Sequence, residues 1–189
     1  AFRRLPFRRG FDDDRQLQRT GSFKERGARN ALLQLPDEAR RRGVIAASAG
    51  NHAQGVAYHG SLLGIPVTVV MPRFAPLIKV TNCRNLGAEV VLHGEDLTDA
   101  RAKAQELAAE RGLTFVHPFD NPHVVAGQGT MGLEILEQCP DVEAIVVPVG
   151  GAGLISGIGT AVKAKKPSVE IIGVEPENAP SLAAAFSRK

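Results

Sequence analysis

Hydrophobic and polar positions follow two patterns along this chain. Short runs of β-branched apolar residues bounded by glycine or proline predict buried strands, and the longer segments between them, with apolar positions three or four apart, predict helices. The predicted strands are Val44–Ala47, Val67–Met71, Glu89–Leu92, Thr114–Val116, Ala144–Val149 and Glu170–Val174. The predicted helices are Ala53–Leu63, Ile78–Leu86, Leu97–Arg111, Gly127–Gln138 and Leu154–Lys165, with a loop over Pro118–Val124.

The alternation of strand and helix predicts an α/β fold in which parallel sheets are flanked by helices. Sheets of this kind bind ligands beyond the carboxyl ends of their strands. Glycines are concentrated at those strand-to-helix turns, and the chain has neither internal repeats nor a low-complexity linker. Candidate chemistry is therefore expected at the turns.

Composition excludes several classes of function. The chain has 189 residues, of which 43% are hydrophobic and 23% charged, and its net charge is +3. The arginine runs at 3–4, 8–9 and 40–42 lack interleaved aromatic residues, so we interpret them as solvated faces and expect no nucleic-acid partner. No apolar run approaches the roughly 18 residues of a membrane span, so we expect no membrane partner either.

The two cysteines indicate a compartment. Cys83 and Cys139 are far apart and in no metal-ligand spacing, which favours a reduced, cytoplasmic protein in which both pack as small hydrophobic residues. A mitochondrial location is the alternative, because residues 1–10 are rich in arginine and free of acids, as transit peptides are, although three aspartates at 12–14 interrupt the pattern.

Lys24 lies between the Thr20-Gly21-Ser22 cluster, which is typical of a helix start, and a helix-forming run. In the first turn of a helix, the positive end of the dipole disfavours an ammonium and favours the neutral amine, which attacks carbonyls and forms Schiff bases. Taken alone, a solvated surface lysine is the simpler interpretation. Two further sites change that interpretation.

The glycine-rich turn Gly150-Gly151-Ala152-Gly153 lies between a predicted strand and a predicted helix. Such a turn exposes backbone N–H groups at a helix start and binds phosphate without a basic side chain, because glycine lets the backbone approach the anion. A tight turn without a ligand is one alternative. With Gly157, and with Glu175 as a ribose ligand, the turn also approximates a dinucleotide-binding fingerprint.

The segment Ser48-Ala49-Gly50-Asn51-His52 also joins a predicted strand to a predicted helix. Small residues and an amide at a helix start form an anion site of carboxylate size, in which Ser48 donates a hydroxyl and Asn51 is a neutral donor for a ring oxygen. A plain helix cap, with His52 as a structural histidine, is the alternative. A Schiff-base lysine, a carboxylate site and a phosphate turn together suggest pyridoxal phosphate, an aldehyde with a phosphate arm.

Several motifs resemble those of the pyridoxal-phosphate-dependent threonine and serine dehydratases, fold-type-II enzymes related to serine racemase and the cysteine synthases. The motifs are Thr20–Ala28, Ala47–Gly55, Val90–Gly94, Gly127–Thr130 and Val147–Gly153, and the resemblance extends from about Leu17 to Phe186. It implies two domains with the cofactor in the cleft between them. We expect a small inserted α/β domain over residues 43–120 and a large domain over residues 15–42 and 121–189.

The resemblance also implies roles for individual residues. Lys24 would form the Schiff base and Phe23 would pack beside the cofactor, while Asn51 would donate to its 3-oxygen. The phosphate would be held by the backbone at Gly150, Gly151, Ala152, Gly153 and Leu154. The substrate carboxylate would be bound at Ser48, Ala49, Gly50, Asn51 and His52, with Ser48 as a second candidate catalytic residue.

Departures from the family pattern sharpen these expectations. Racemases of the family carry a serine acid/base at the position of Ala49, so alanine there favours elimination. Ala152 replaces a third glycine, so we expect it to keep φ below zero or to alter the turn slightly.

Glu175 and Ala179 match a cation site of some relatives, but Ser181 replaces its carboxylate, so no metal is expected. Residues 1–14 are atypical and the family's C-terminal part is missing, so a chain truncated at both ends is expected.

The predicted function is the pyridoxal-phosphate-dependent deamination of L-threonine or L-serine to a 2-oxo acid and ammonia, by a homodimer or homotetramer. A β-replacement synthase or a serine racemase of the same superfamily is the first alternative. A truncated chain that is not catalytic and associates with a full-length subunit is the second. A nicotinamide-binding domain is a distant third.

Overall fold

The computed structural model describes residues 19–187. Within them the strands are β1 (Val44–Ala47), β2 (Val67–Met71), β3 (Glu89–Leu92), β4 (Thr114–Phe115), β5 (Ala144–Pro148) and β6 (Glu170–Val174). The helices are α1 (Lys24–Leu33), α2 (Asp37–Arg42), α3 (Asn51–Leu63), α4 (Leu77–Asn85), α5 (Leu97–Arg111), α6 (Pro122–Gln138), α7 (Gly153–Lys165) and α8 (Ser181–Phe186). The features predicted for residues 1–14 lie outside the described residues.

The strands form two parallel sheets. One has the order β3-β2-β1-β4, and the other pairs β5 with β6. Parallel neighbours need a crossover connection, which α3, α4 and α7 supply, whereas α5 carries the chain from β3 across the sheet to β4. Parallel sheets flanked by helices confirm the predicted α/β fold, whereas the domain boundaries near residues 43 and 120 stay a prediction.

The four-stranded sheet is covered on both faces, which explains why its central strands are apolar except for Thr68. Every residue of β1 and β2 is buried. Because side chains alternate along a strand, Val44 and Ala46 pack with α1, α3 and α4, whereas Ile45 and Ala47 pack with Ala100, Ala104 and Leu107 of α5. This sheet therefore holds the carboxyl end of β1 in a fixed position.

The two-stranded sheet differs, because the described residues cover only one of its faces. Ile145 and Val147 pack with Ile158 and Val162 of α7. On the opposite face, the apolar residues Val146, Ile172 and Val174 are 52%, 37% and 51% exposed. The covered face fixes the β5–α7 turn, which contains the glycine-rich segment.

The prediction of a loop over residues 118–124 is wrong at its end, because α6 begins at Pro122. Asn121 caps this helix by accepting the backbone N–H groups of His123 and Val124 at 2.9 and 3.1 Å. Asparagine before proline is a helix-start signal that the periodicity alone does not reveal. The short helices α2 and α8 are also absent from the prediction.

The two cysteines differ in burial, although both were expected to pack as small hydrophobic residues. Cys83 is fully buried and burial raises the pKa of its thiol to about 11, so it behaves as an inert hydrophobic residue, whereas Cys139 is only half-buried. Between residues 19 and 187, none of the helices combines the length and the hydropathy that crossing a bilayer requires.

Candidate active site

Lys24 is the first residue of α1, as predicted. The Ser22 hydroxyl accepts the backbone N–H of Lys24 at 3.3 Å, although Phe23 is the residue at the N-cap. The Lys24 amine lies 5.3 Å from the centre of the Phe23 ring and donates a hydrogen bond to the Pro118 carbonyl at 2.7 Å. Burial lowers the pKa of this amine, so it has a larger neutral fraction than a surface lysine.

The residues after Lys24 fix α1 from two sides. The buried carboxylate of Glu25 accepts the backbone N–H of Thr20 and lies 3.7 Å from the imidazole of His59 on α3. On the other side, the Arg26 guanidinium donates two parallel hydrogen bonds of 2.6 Å to the Glu134 carboxylate on α6. The lysine backbone is therefore held between two helices.

The glycine-rich turn joins β5 to α7. Its helix begins at Gly153 and has no side-chain hydrogen bond at the N-cap, so the first backbone N–H groups are free of side-chain partners. A Cβ on Gly150 would meet nothing within 4 Å, and Leu154 is only half-buried. A cleft of about 460 Å³ opens beside Gly150, Gly151 and Ala152. This arrangement suits an anionic group.

Ala152 contradicts the expectation of a φ below zero. Its φ is +63° and its ψ is −4°, which places it in the left-handed region. An alanine there carries steric strain of roughly 1 kcal/mol or more, because its Cβ crowds the adjacent carbonyl. The chain thus keeps the backbone path of a glycine at this position.

The predicted loop that begins at Pro118 joins the lysine to the glycine-rich turn, a role that sequence reasoning missed. Pro118 accepts the Lys24 amine, and the next residue, Phe119, packs on the turn so closely that a Cβ on Gly151 would lie 2.2 Å from its ring. A Cβ on Gly153 would lie 2.8 Å from the Phe119 Cβ. The signal for this loop is its position directly after β4, where parallel sheets bind ligands.

The Ser48–His52 segment joins β1 to α3. The Ser48 hydroxyl accepts the Gly50 N–H at 3.2 Å, and α3 begins at Asn51 without a side-chain hydrogen bond at its N-cap. Ala49 is half-buried and Asn51 is exposed. The first turn of α3 therefore also has backbone N–H groups free of side-chain partners, as a carboxylate site needs.

His52 faces the interior. Its side chain is 2% exposed, and Nε2 donates a hydrogen bond to the Val116 carbonyl at 2.9 Å. Burial is the main cause that lowers its pKa to about 4, with smaller contributions from Lys24 and His117. The neutral His52 ring is thus a structural group, and only its backbone can contribute to a carboxylate site.

Glu175 caps α8. Its two carboxylate oxygens accept the backbone N–H groups of Leu182 and Ala183 at 2.7 and 2.9 Å. The backbone N–H of Ala179 donates to the Pro176 carbonyl. Throughout residues 19–187, no cluster of three or more His, Cys, Asp or Glu side chains is arranged to hold a metal ion.

A half-buried lysine with a lowered pKa and two helix starts without side-chain caps lie in the described part of the chain, and such groups suit a carbonyl compound with anionic groups. A sequence model of the family described as "Pyridoxal-phosphate dependent enzyme" matches residues 13–189. The chain belongs to this family, and its parallel sheets flanked by helices are those of the fold-type-II members. That membership favours pyridoxal phosphate over a nicotinamide cofactor.

Three similar proteins illustrate the relationship. The chain is 58% identical over 172 residues to an L-threonine ammonia-lyase of Thermotoga maritima. This aligned region covers 91% of this chain and 43% of that protein. It is 47% identical to the processed form of threonine deaminase isoform 2 from Solanum lycopersicum, with a TM-score of 0.88 over 90% of this chain and 47% of that one. Serine racemase from Dictyostelium discoideum is 37% identical, with a TM-score of 0.85 over 91% and 56%. The chain thus spans about half the length of these relatives.

Proposed function

We propose that this chain carries the cofactor and substrate site of an ammonia-lyase that converts L-threonine or L-serine to a 2-oxo acid and ammonia. The observation that carries the proposal is the Lys24 amine. It is partly buried, its pKa is lowered, and it donates a hydrogen bond to the Pro118 carbonyl of the loop that packs against the glycine-rich turn.

The residues present fit pyridoxal phosphate, which supplies an aldehyde and a ring that stabilises negative charge at the substrate Cα. The amides of the glycine-rich turn, including Gly153 and Leu154, would bind its phosphate, because no side chain occupies them. Phe23 would pack beside its ring, and Asn51 would donate to its 3-oxygen.

The substrate would be held at the start of α3. The backbone N–H groups of Asn51 and His52, with the Ser48 hydroxyl, would bind its carboxylate beside Gly50. The neutral Lys24 amine would then remove the Cα proton, a role that its lowered pKa supports because a protonated amine cannot act as a base. The site would lie between the domains formed by residues 43–120 and by the flanking segments.

Ala49 and the similar proteins favour elimination. Alanine has no group that could donate a proton at Cα, whereas a racemase needs a second acid/base there. The relatives named for threonine are also more similar in sequence than the serine racemase. We further propose that the active form is a homodimer or homotetramer in the cytoplasm.

The test combines cofactor binding with turnover. The purified chain is mixed with pyridoxal phosphate, its visible absorption is recorded, and borohydride reduction is followed by peptide mass mapping. We expect an absorption band and a reduced adduct on Lys24, and we expect Lys24→Ala to abolish both, as well as turnover. Lys103→Ala is the control, since Lys103 is paired with Glu106 on the surface of α5.

The products distinguish the alternatives. A 2-oxo acid and ammonia from L-threonine or L-serine would support the lyase. D-serine would support a racemase, and product formed only from a thiol and an activated serine would support a β-replacement synthase. Adducts scattered over surface lysines, or cofactor binding without turnover by the chain alone, would contradict independent catalysis.

A further inference from the structure

We propose that His117 is a positioning residue for Lys24: by accepting backbone N–H groups at Nδ1, it fixes the turn whose Pro118 carbonyl holds the lysine amine. The inference rests on the proposed function only in that it concerns the same lysine. It assigns a role to a side chain that does not belong to the predicted site.

The geometry of the turn carries the argument. His117 Nδ1 accepts the backbone N–H of Asp120 at 2.8 Å and, at a longer distance of 3.4 Å, that of Phe119. The Phe119 ring stands edge-on to the imidazole, with 4.7 Å between ring centres. These contacts join the residue before Pro118 to the two residues after it, so the imidazole sets the direction of the Pro118 carbonyl.

The same turn orients two parts of the site. The Pro118 carbonyl accepts the Lys24 amine at 2.7 Å, while Phe119 lies against Gly151 and Gly153. Pro118 has no backbone N–H of its own, so the turn depends on the bonds to its neighbours. Losing the His117 acceptor would loosen the lysine's partner and the packing on the glycine-rich turn together.

The proposed role requires a neutral imidazole. Nδ1 accepts, so the neutral ring carries its proton on Nε2; a protonated ring would have no acceptor. Burial is the largest cause that lowers the pKa of His117. Arg101 of α5 and Lys24 of α1 lower this pKa further, whereas Asp120 raises it. The positive groups facing the ring from two helices thus favour its accepting form.

The experiment measures the Lys24 amine directly. The chain without cofactor is labelled with trace acetic anhydride across a range of pH, and peptide mass mapping gives the titration of each lysine. His117→Leu removes the acceptor, whereas His117→Asn keeps an oxygen near the position of Nδ1. His123→Leu is the matched control, since His123 is exposed at the start of α6.

We expect wild type, His117→Asn and His123→Leu to share the lowered pKa of Lys24. In His117→Leu, the pKa of Lys24 should rise towards its ordinary value of 10.5, because burial is the cause of the shift and the loosened turn admits water. Hydrogen exchange at the Asp120 amide should accelerate in the same variant alone. Lys103, labelled in the same samples, should be unchanged in every variant.

An unchanged Lys24 titration in a folded His117→Leu chain would overturn the proposal. So would a shift of equal size in His117→Asn, since that variant retains the acceptor. The labelling needs neither pyridoxal phosphate nor turnover, so the positioning role and the lyase function can fail independently.

Discussion

A Cβ atom on Gly127 of α6 would lie 2.7 Å from the Cα atom of Gly27 on α1, so these two helices touch backbone to backbone. It would also lie 2.5 Å from the Arg26 carbonyl oxygen. Backbone cannot move aside as a flexible side chain can. The close packing of α1, which begins with Lys24, against α6 is therefore possible only because both residues are glycine.

Gly127→Ala should for this reason destabilise the chain by about 3 kcal/mol or more, since it overpacks a backbone contact. Urea denaturation measures the change in the free energy of unfolding. Gly159→Ala is the control, because Gly159 lies in α7 with nothing within 4 Å of an added Cβ, and it should stabilise the chain by about 0.5–1 kcal/mol. Similar effects of the two substitutions would contradict the close approach.

Ala152→Gly should stabilise the chain. Relief of the left-handed strain outweighs the extra freedom that glycine gives the unfolded chain, and a gain of about 0.5–1 kcal/mol in the free energy of unfolding is expected. Ala102→Gly, at an exposed position inside α5, should instead cost about 1 kcal/mol. Thermal unfolding of both variants checks the contrast, and a loss of stability at position 152 would refute it.

Stability should fall in mild acid because of His52. Above pH 6.5 its ring is neutral in the folded and the unfolded chain; below it, the unfolded chain takes up a proton that the folded chain accepts only near pH 4. This residue should therefore contribute a loss of about 2 kcal/mol between pH 6.5 and about pH 5. Urea denaturation across this range gives the slope.

His52→Gln is the matching variant, since its amide nitrogen can still donate to the Val116 carbonyl but does not titrate. Its stability should depend less on pH than that of the wild type. The remaining slope includes His59 and His117, whose pKa values burial also lowers. Equal slopes for the variant and the wild type would show that His52 titrates normally in the folded chain.

Two ion pairs should differ in strength. Arg26 and Glu134 make two parallel bonds of 2.6 Å, and Arg26 is only 19% exposed, whereas Arg111 reaches Glu89 through one nitrogen at 3.0 and 3.1 Å and both are more than 40% exposed. Double-mutant cycles with alanine should give a coupling of about 1 kcal/mol for the first pair and about 0.3 kcal/mol for the second. The opposite order would show that the contact between α1 and α6 does not depend on the pair.

The buried strands were predictable because a short apolar run bounded by turn residues is typical of a strand that is covered on both faces. Val44–Ala47 is buried on both faces, so all its residues are apolar and its bounds agree with the prediction. The position of Lys24 in the first turn of α1 followed from the cluster that precedes it. Local signals of this kind are contained within a few residues.

The rest of the site depends on contacts that sequence patterns do not contain. The Pro118 carbonyl that accepts the Lys24 amine is a backbone atom, and every residue type has a backbone carbonyl, so the sequence does not indicate this role. The left-handed φ of Ala152 goes against the preference of alanine, and α8 begins where Glu175 of the preceding segment caps it. Only the φ of Ala152 opposes a local preference, whereas the other two features depend on contacts between residues distant from one another along the chain.

The hydrogen bond between Lys24 and Pro118 joins residues 94 positions apart. At synthesis rates of about 5 to 20 residues per second, the ribosome makes the lysine roughly 5 to 20 s before its partner. During that interval the amine lacks the carbonyl that accepts its hydrogen bond in the folded chain. The nascent protein therefore acquires this anchor of the Lys24 amine late, after the strands of its larger sheet have been made.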